Sequence, residues 1–154
     1  MKAARLAFAL LVVALVSCNR STRYHHYQPT DTDGWQRAHA LTFTLPEAQA
    51  TGTYALSIGM RYTPAYPYQG LWVVSVIQLS HPSAVLTDTI YFPTSSDSAY
   101  ALPLGSGITL LQREQPLRRL TLKRGQQATV TLSHNMTREL LPFIRDVGVR
   151  LQQE

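Results

Sequence analysis

One cysteine and five histidines are the residues of this chain whose types most readily do chemistry. Cys18 lies where a short apolar run ends and a polar segment begins. A cysteine sulfur can act as a nucleophile, bind a metal or carry a lipid. A single cysteine excludes an internal disulfide and a zinc cluster built from cysteines. The residues around Cys18 must therefore decide what its sulfur does.

Residues 1–17 are typical of a lipoprotein signal peptide. Lys2 and Arg5 are followed by an unbroken apolar run of 11 residues, Leu6 to Val16. A helix of that length rises ~16 Å, about half of a hydrocarbon core, so we do not expect it to span a membrane. The letters "LVSC" then supply an aliphatic residue, a small residue and the cysteine. We predict that Cys18 is the lipid attachment site, carrying a covalent diacylglycerol and an N-acyl chain.

Acylation at Cys18 would fix where the protein works. One acyl chain binds a membrane only marginally, whereas two or more hold it stably. Residue 19 is Asn and not Asp, so no cue for inner-membrane retention follows the cysteine. We expect a lipid-anchored protein of the cell envelope that faces the periplasm, on the outer membrane rather than the inner one.

The polar segment after the signal predicts a tether or an irregular entry segment, from which Tyr24 and Tyr27 could still pack on the domain. Residues 19–34 contain no aliphatic side chain, and include proline and glycine. We therefore assign residues 18–34 to the acylated cysteine and a polar tether, and residues 35–154 to a folded domain.

The folded domain has a hydrophobic period of two, which is typical of strands with one buried face. In "TYALSIGMRY", Tyr54, Leu56, Ile58, Met60 and Tyr62 share one face. The run "LWVVSVIQL" is nearly continuous, which indicates either a strand covered on both sides or one whose Trp72 face meets a partner. The other predicted strands are "LTFTL", "VLTDTIYF", "LRRLTL", "ATVTLSH" and "VGVRLQ", with weaker candidates in "YALPL" and "ITLLQ".

These strands are separated by proline- and glycine-rich turns about 8 to 14 residues apart, the spacing expected of a sandwich. We predict an all-β fold of seven to nine strands in a two-sheet antiparallel sandwich, jelly-roll or immunoglobulin-like, preceded by the signal peptide. The segment "NMTRELLPFI" predicts a turn or two of helix, ended by Pro142.

Catalytic chemistry is not predicted by the remaining polar residues. Apart from the adjacent pair His25–His26 in the tether, which could touch a metal or the membrane surface, the histidines lack metal-ligand spacing on any predictable face. The "LGSGI" segment around Ser106 lacks the spacing of a nucleophile elbow. Asp88, Asp97 and Asp146 form no close pair such as glycoside hydrolysis needs. We therefore expect no enzyme, no metal and no cofactor beyond the lipid, and identify no small-molecule substrate.

The net charge argues against nucleic acid as a partner, but the role of one basic segment stays open. The formal charge is +5, and it becomes +3 when Lys2 and Arg5 leave with the signal, which is too small for a nucleic-acid binder. The stretch "RRLTLKRG" carries four basic residues. In a tethered protein it could face anionic headgroups. The alternative is an ordinary hairpin with a solvated outer face.

An aromatic cluster suggests a contact surface. The segment "YTPAYPYQGLW" places Tyr66, Tyr68 and Trp72 close together beside two prolines. Tyrosine and tryptophan favour interfaces, so these three side chains could form a platform for a partner or a glycan. The alternative is an end cap in which they seal the core.

The order of these motifs resembles a known family. The lipoprotein signal is followed by "GW", "LTFTLP", "YALSIGMRY", "YPYQGLWV", "LTDTIYF", "GSG", "HNMTREL" and "IRDVGVRL". This series is similar to the GldH-type gliding-motility lipoproteins of Bacteroidetes. Two departures are Gly70, where the family tends to have Asn, and the absence of a Trp before the "GSG" turn.

The resemblance implies a non-catalytic role beside the gliding machinery and its type IX secretion apparatus, with other envelope lipoproteins or machinery components as partners. Five charged residues fall at family-like positions. They would form either a polar contact surface or polar ties within the fold. These residues are Arg61, Asp88, Arg138, Asp146 and Arg150. The carbohydrate-binding sandwich remains the alternative function.

Overall fold

A computed structural model describes residues 21–94, 100–104 and 108–154. Cys18, Asp97 and Ser106 therefore lie outside the described residues. Within those ranges the chain forms eleven strands and no helix. The strands are β1 (Thr22–Pro29), β2 (Gly34–Gln36), β3 (Leu41–Thr44), β4 (Gly52–Tyr62), β5 (Gly70–Leu79), β6 (Ala84–Pro93), β7 (Tyr100–Leu104), β8 (Ile108–Leu122), β9 (Ala128–His134), β10 (Leu140–Pro142) and β11 (Ile144–Gln153).

Nine strands make up the two sheets of the sandwich. A five-stranded sheet has the order β1-β11-β4-β8-β7, and a four-stranded sheet has the order β3-β9-β5-β6. β2 and β10 form a separate short pair. All pairings are antiparallel. The predicted all-β sandwich is confirmed, and one continuous cluster of buried residues from both sheets fills it.

β4 shows how the sequence builds this core. Its alternating residues, from Tyr54 through Ile58 to Tyr62, are at most 2% exposed. They face the interior because successive side chains of a strand point to opposite sides of the sheet. The predicted inward face of this strand is confirmed.

β5 has one buried face, although its sequence is nearly continuous in apolar residues. Leu71, Val73 and Ile77 are fully buried. Val74 is partly exposed and Trp72 is 48% exposed on the other face. Of the two alternatives predicted for this strand, coverage on both sides is therefore wrong, and contact of its Trp72 face with a partner stays a prediction.

β8 joins two segments that the sequence analysis kept apart. "ITLLQ" and "LRRLTL" belong to one strand of 15 residues. Pro116 interrupts the sequence pattern, but the register with β4 shifts at this point, so Leu56 pairs with Arg118 and Ser57 with Pro116. A bulge accommodates proline because it interrupts the hydrogen-bond ladder locally.

The predicted tether is wrong for the part of it that the structure describes. β1 pairs with β11 along its length, from Thr22 opposite Gln152 to Pro29 opposite Asp146. It is an edge strand held mainly by backbone hydrogen bonds, so it needs no aliphatic residues. The folded domain therefore includes residues from Thr22 onward, and does not start at residue 35.

The helical turn predicted in "NMTRELLPFI" is also wrong. Leu140–Pro142 form β10, which pairs with β2, and Leu141 is fully buried. Phe143 then takes a positive φ of 69°, which redirects the chain into β11. Tertiary burial of Leu141 overrides the weak local preference for helix.

A buried aromatic pair closes the end of the sandwich near β2. Trp35 is fully buried, and its Nε1–H donates to the His39 carbonyl oxygen at 3.0 Å. The His134 ring meets it edge-on at a centroid distance of 5.3 Å. The Nε2 of His134 lies 3.1 Å from the Trp35 carbonyl oxygen, and its Nδ1 accepts from the Met136 N–H at 3.4 Å. This pattern requires the neutral ring protonated on Nε2.

Candidate functional site

The outer face of the four-stranded sheet is uncharged, and we call it the neutral face. Its members are the residues that alternate with the buried positions of β3, β9, β5 and β6. Among the described residues these are Thr42, Thr44, Trp72, Val74, Val76, Gln78, Val85, Thr87, Thr89, Tyr91, Thr129, Thr131 and Ser133. Side chains on this face offer hydroxyl groups and apolar surface, so its chemistry suits a neutral partner.

Two half-exposed aromatic side chains mark one end of the neutral face. Trp72 and Tyr91 are directly opposite in the β5–β6 pairing, and are 48% and 41% exposed. Their ring centroids are 5.3 Å apart at an angle of 61°. A Cβ on Gly70 would lie 2.6 Å from the Phe92 carbonyl oxygen and within the volume of the Tyr91 ring. Glycine at position 70 therefore lets Tyr91 lie against the sheet beside Trp72.

The predicted platform of Tyr66, Tyr68 and Trp72 is not one surface. Tyr66 is only 8% exposed and belongs to the core, and Tyr68 packs against it with ring centroids 5.4 Å apart. Burial raises the pKa of Tyr66, as expected for an enclosed phenol. Trp72 lies on the outer face of β5, away from the core that Tyr66 joins. Tyr66 thus acts as an end cap, while Trp72 pairs with Tyr91.

The outer face of the five-stranded sheet is polar, and Tyr27 lies at its centre. Its ring covers two glycines that are paired across β4 and β11, Gly59 and Gly148. The guanidinium carbon of Arg61 lies 4.0 Å from the centroid of the Tyr27 ring, so the two side chains form a cation–π contact. Burial, reinforced by the nearby Glu114 carboxylate, raises the pKa of Tyr27. The aromatic ring replaces the side chains that the two glycines lack.

Two of the family-like residues meet beside Tyr27. Arg61 and Asp146 are opposite one another in the β4–β11 register. Arg61 also donates from Nε to the Gln112 side-chain oxygen at 2.8 Å. Burial raises the pKa of Asp146, and the Arg61 and Arg145 guanidinium groups oppose that shift. Asp146 thus lies near one guanidinium group of β4 and one of its own strand.

Glu114 joins a third family-like residue to this face. One of its carboxylate oxygens lies 3.0 Å from Arg150 Nη1, and the other lies 3.0 Å from His25 Nε2. The two partners come from β11 and β1, which flank each other in the sheet. We call the set of His25, Tyr27, Arg61, Glu114, Asp146 and Arg150 the polar face.

Asp88 and Arg138 lie elsewhere. Asp88 points towards the inner side of β6, and its Oδ2 is 3.3 Å from Arg118 Nη1 of the other sheet, in ion-pair but not hydrogen-bond geometry. Arg138 is exposed in the segment before β10. The five family-like residues therefore do not form one contact surface.

Metal binding finds no support in the part of the chain that the structure describes. No group of three or more histidine, cysteine or acidic side chains in that part could hold a metal ion. His25 pairs with Glu114, and His39 Nδ1 lies 3.0 Å from the Asp31 carboxylate. No helix among these residues is long and apolar enough to cross a membrane.

Sequence reasoning missed Glu114 and Tyr91, and of Tyr27 it foresaw only that the side chain could pack on the domain. Tyr91 belongs to a predicted strand, and the "SHPS" turn before that strand could have placed it opposite Trp72 in a hairpin. Glu114 and the particular contacts of Tyr27 carry no such signal, because their neighbours come from strands distant in the chain.

The chain is an all-β protein of two packed antiparallel sheets. One sheet has a neutral outer face and the other a polar outer face, and either could contact another molecule. The chain belongs to the GldH lipoprotein family, which it matches over residues 22–151. The resemblance seen in its motifs is thereby confirmed. A relative, the gliding motility lipoprotein GldH of Flavobacterium johnsoniae, is 23% identical over 153 residues, covering 94% of this chain and 93% of that protein.

Solved structures resemble the chain only at low similarity. A family 35 carbohydrate binding module from Clostridium thermocellum has a TM-score of 0.45 at 12% identity, covering 84% of this chain and 89% of that chain. The globular domain of zebrafish complement 1qA protein has a TM-score of 0.40 at 10% identity, covering 86% and 96%. At these values the likeness carries no information about ligands.

Proposed function

We propose that this protein is a lipid-anchored, non-catalytic accessory component of the gliding motility and type IX secretion machinery of the cell envelope. The observation that carries the proposal is the family match over residues 22–151, together with a relative named for gliding motility that aligns along nearly the whole chain. The protein acts by touching other envelope components, which are lipoproteins or parts of that machinery.

The lipid anchor is the first part of the proposal. Cys18 stands four residues before β1, after an apolar run and a small residue. Diacylglycerol and an N-acyl chain on this residue hold the domain at a membrane, facing the periplasm and on the outer membrane. Radiolabelled palmitate should enter the wild-type protein and the Ser17→Ala control, which keeps a small residue before the cysteine. Equal labelling of Cys18→Ser would contradict the proposal.

The neutral face is the contact surface that the structure favours for a partner. Trp72 and Tyr91 combine large apolar area with polar tips, and such side chains carry much of the energy of protein interfaces. They are surrounded by hydroxyl side chains and lie apart from the charged groups of the polar face. A partner bound here would bury two aromatic rings without desolvating a charge.

Complementation in a gliding host tests this role. Deletion of the gene should impair spreading or secretion, and the wild-type gene should restore both. Trp72→Ala combined with Tyr91→Ala should reduce rescue and the recovery of crosslinked partners. The matched control is Val85→Ala, which shortens another exposed side chain, 62% exposed, on the same face. Full rescue by the double variant would exclude the neutral face as the contact surface.

Glycan binding is the second candidate function, and the Trp72–Tyr91 pair favours it. Two rings at 61° form a corner against which the C–H surface of a sugar can pack. Hydroxyl groups on neighbouring strands, such as Thr89 and Ser133, can then bond to sugar hydroxyls. A glycan array distinguishes the two functions, since binding that is lost in Trp72→Ala supports this candidate. An array without hits would remove it.

A further inference from the structure

The end of the sandwich where β1 begins also carries the turn between β8 and β9. The Gln153 N–H donates to the Ser21 carbonyl oxygen at 2.7 Å, so the start of β1 is fixed beside the end of β11. The Arg124 N–H donates to Thr51 Oγ1 at 3.0 Å, which ties the β8–β9 turn to the loop before β4. We call this end the anchor end. It comprises Ser21, Arg23, Arg119, Glu154 and residues 45–51, 80–83 and 123–127.

The anchor end is basic on its surface. Four exposed basic side chains lie there against two acidic ones. The basic residues are Arg23, Arg119, Lys123 and Arg124, and the acidic residues are Glu47 and Glu154. Arg119 is paired with Glu154 at 3.0 Å, which leaves Lys123 and Arg124 as the protruding positive pair at the turn.

The opposite end lacks this bias. Among the described residues of the loops there, two basic side chains are outnumbered by three acidic ones. They are Arg37 and Arg138 against Asp31, Asp33 and Glu139. The positive pair at the β8–β9 turn is therefore a property of one end of the sandwich and does not simply reflect the charge of the whole chain.

Covalent geometry places this end close to the predicted lipid. Cys18 is three residues from Ser21, and each Cα–Cα step spans 3.8 Å, so their Cα atoms are at most about 11 Å apart. The β8–β9 turn lies three strand spacings, roughly 14 Å, to the side of β1, and extends about 10 Å beyond the level of Ser21. Lipid on Cys18 would therefore leave Lys123 and Arg124 within reach of the headgroup layer.

We propose that the anchor end docks on an anionic lipid surface through Lys123 and Arg124, and that this contact holds the sandwich upright on the membrane. The inference rests on the proposed acylation of Cys18. In this orientation Trp72 lies seven residues before the anchor-end terminus of β5, roughly 23 Å further from the membrane. The neutral face then points its aromatic pair away from the lipid and towards other envelope components.

Each exposed basic side chain near an anionic surface should favour docking about fivefold. Removing both charges of the turn should therefore lower the ratio of docked to undocked domains roughly 25-fold. Since the Debye length is about 8 Å at physiological ionic strength, the contact must be close, and 1 M salt should weaken it strongly.

Fluorescence quenching in vesicles tests the orientation. Mass spectrometry first establishes the two or three acyl chains on the purified full-length protein. A fluorophore is then placed on Gln49→Cys at the anchor end, or on Thr137→Cys at the opposite end. These introduced thiols are free, whereas the Cys18 sulfur is alkylated. Vesicles of phosphatidylethanolamine and phosphatidylglycerol at 3:1, or of phosphatidylcholine alone, carry a quencher on their headgroups.

The expected result is strong quenching at position 49 on the anionic vesicles, and weak quenching at position 137. Lys123→Gln with Arg124→Gln should remove most of the quenching at position 49. Arg138→Gln, which removes an exposed charge at the opposite end, should not. Equal quenching of both labels, or no effect of the double variant, would overturn the docking proposal while leaving the lipid anchor intact. An unmodified Cys18 in the mass spectrum would instead overturn the proposed function.

Discussion

Tyr27 of β1 packs over Gly59 of β4. The effect of Gly59→Ala on stability should therefore change sign when the Tyr27 side chain is removed. A Cβ at position 59 would lie 2.8 Å from Cζ and 3.1 Å from Cε1 of the Tyr27 ring. The ring cannot move aside freely, because the Arg61 guanidinium packs against it at 4.0 Å. Gly59→Ala must therefore displace the ring, and we expect the free energy of unfolding to fall by ~1–3 kcal/mol.

The same substitution should be harmless or favourable once the ring is removed. In a Tyr27→Ala background, all three of the close contacts at position 59 are gone, since each is made by the Tyr27 side chain. Alanine then restricts the unfolded chain more than glycine does, which stabilises the fold by roughly 0.4–1 kcal/mol. The two backgrounds should differ by about 1.4–4 kcal/mol in the effect of Gly59→Ala.

Urea unfolding followed by tryptophan fluorescence measures these changes, provided that the four proteins share one m-value. Gly52→Ala is the matched control, because no atom lies within 4 Å of its added Cβ, and it should cost nothing in either background. Gly148→Ala should destabilise both, since its Cβ would also lie 2.9 Å from the His26 carbonyl oxygen. An equal cost of Gly59→Ala in both backgrounds would refute the assignment of Tyr27 as the covering group.

Three further predictions concern charge. Burial lowers the pKa of His134 below its ordinary 6.5, so the fold favours the neutral ring. The free energy of unfolding should therefore be highest above about pH 6.5 and fall as the pH drops below it, and this fall should be smaller in His134→Gln. Burial raises the pKa of Asp146, so its ionised form opposes folding; Asp146→Asn should raise the urea midpoint at pH 7, by an amount that shrinks towards pH 3.8. The Asp88–Arg118 pair is partly exposed, so a double-mutant cycle should give a coupling of only ~0–1 kcal/mol, reduced by salt.

The strands that pack on the core were the easiest to predict. In β4, five apolar residues alternate with small or polar ones, and burial of one face makes this alternation obligatory. β1 gave no such signal, because an edge strand can be held by its backbone and by one aromatic residue. β8 was divided in two by Pro116, since a sequence alone does not show that a bulge will receive the proline.

The site was harder to foresee than the fold. Tyr66 and Trp72 are close in sequence, yet one seals the core and the other lies on an outer face, because the chain turns into β5 between them. Arg61 and Asp146 came from the family resemblance, but only the β4–β11 register shows that they are neighbours. Such pairings depend on contacts between residues 85 positions apart, which local patterns do not encode.

The position of β1 determines how the domain would respond to mechanical force. With lipid on Cys18, a pull on the distant end of the sandwich is transmitted to the membrane through the first residue of β1, along the axis of that strand. Its antiparallel pairing with β11 extends from Thr22 to Pro29, so the ladder is loaded in shear and its hydrogen bonds resist together. A strand pulled sideways would instead lose them one after another, at lower tension.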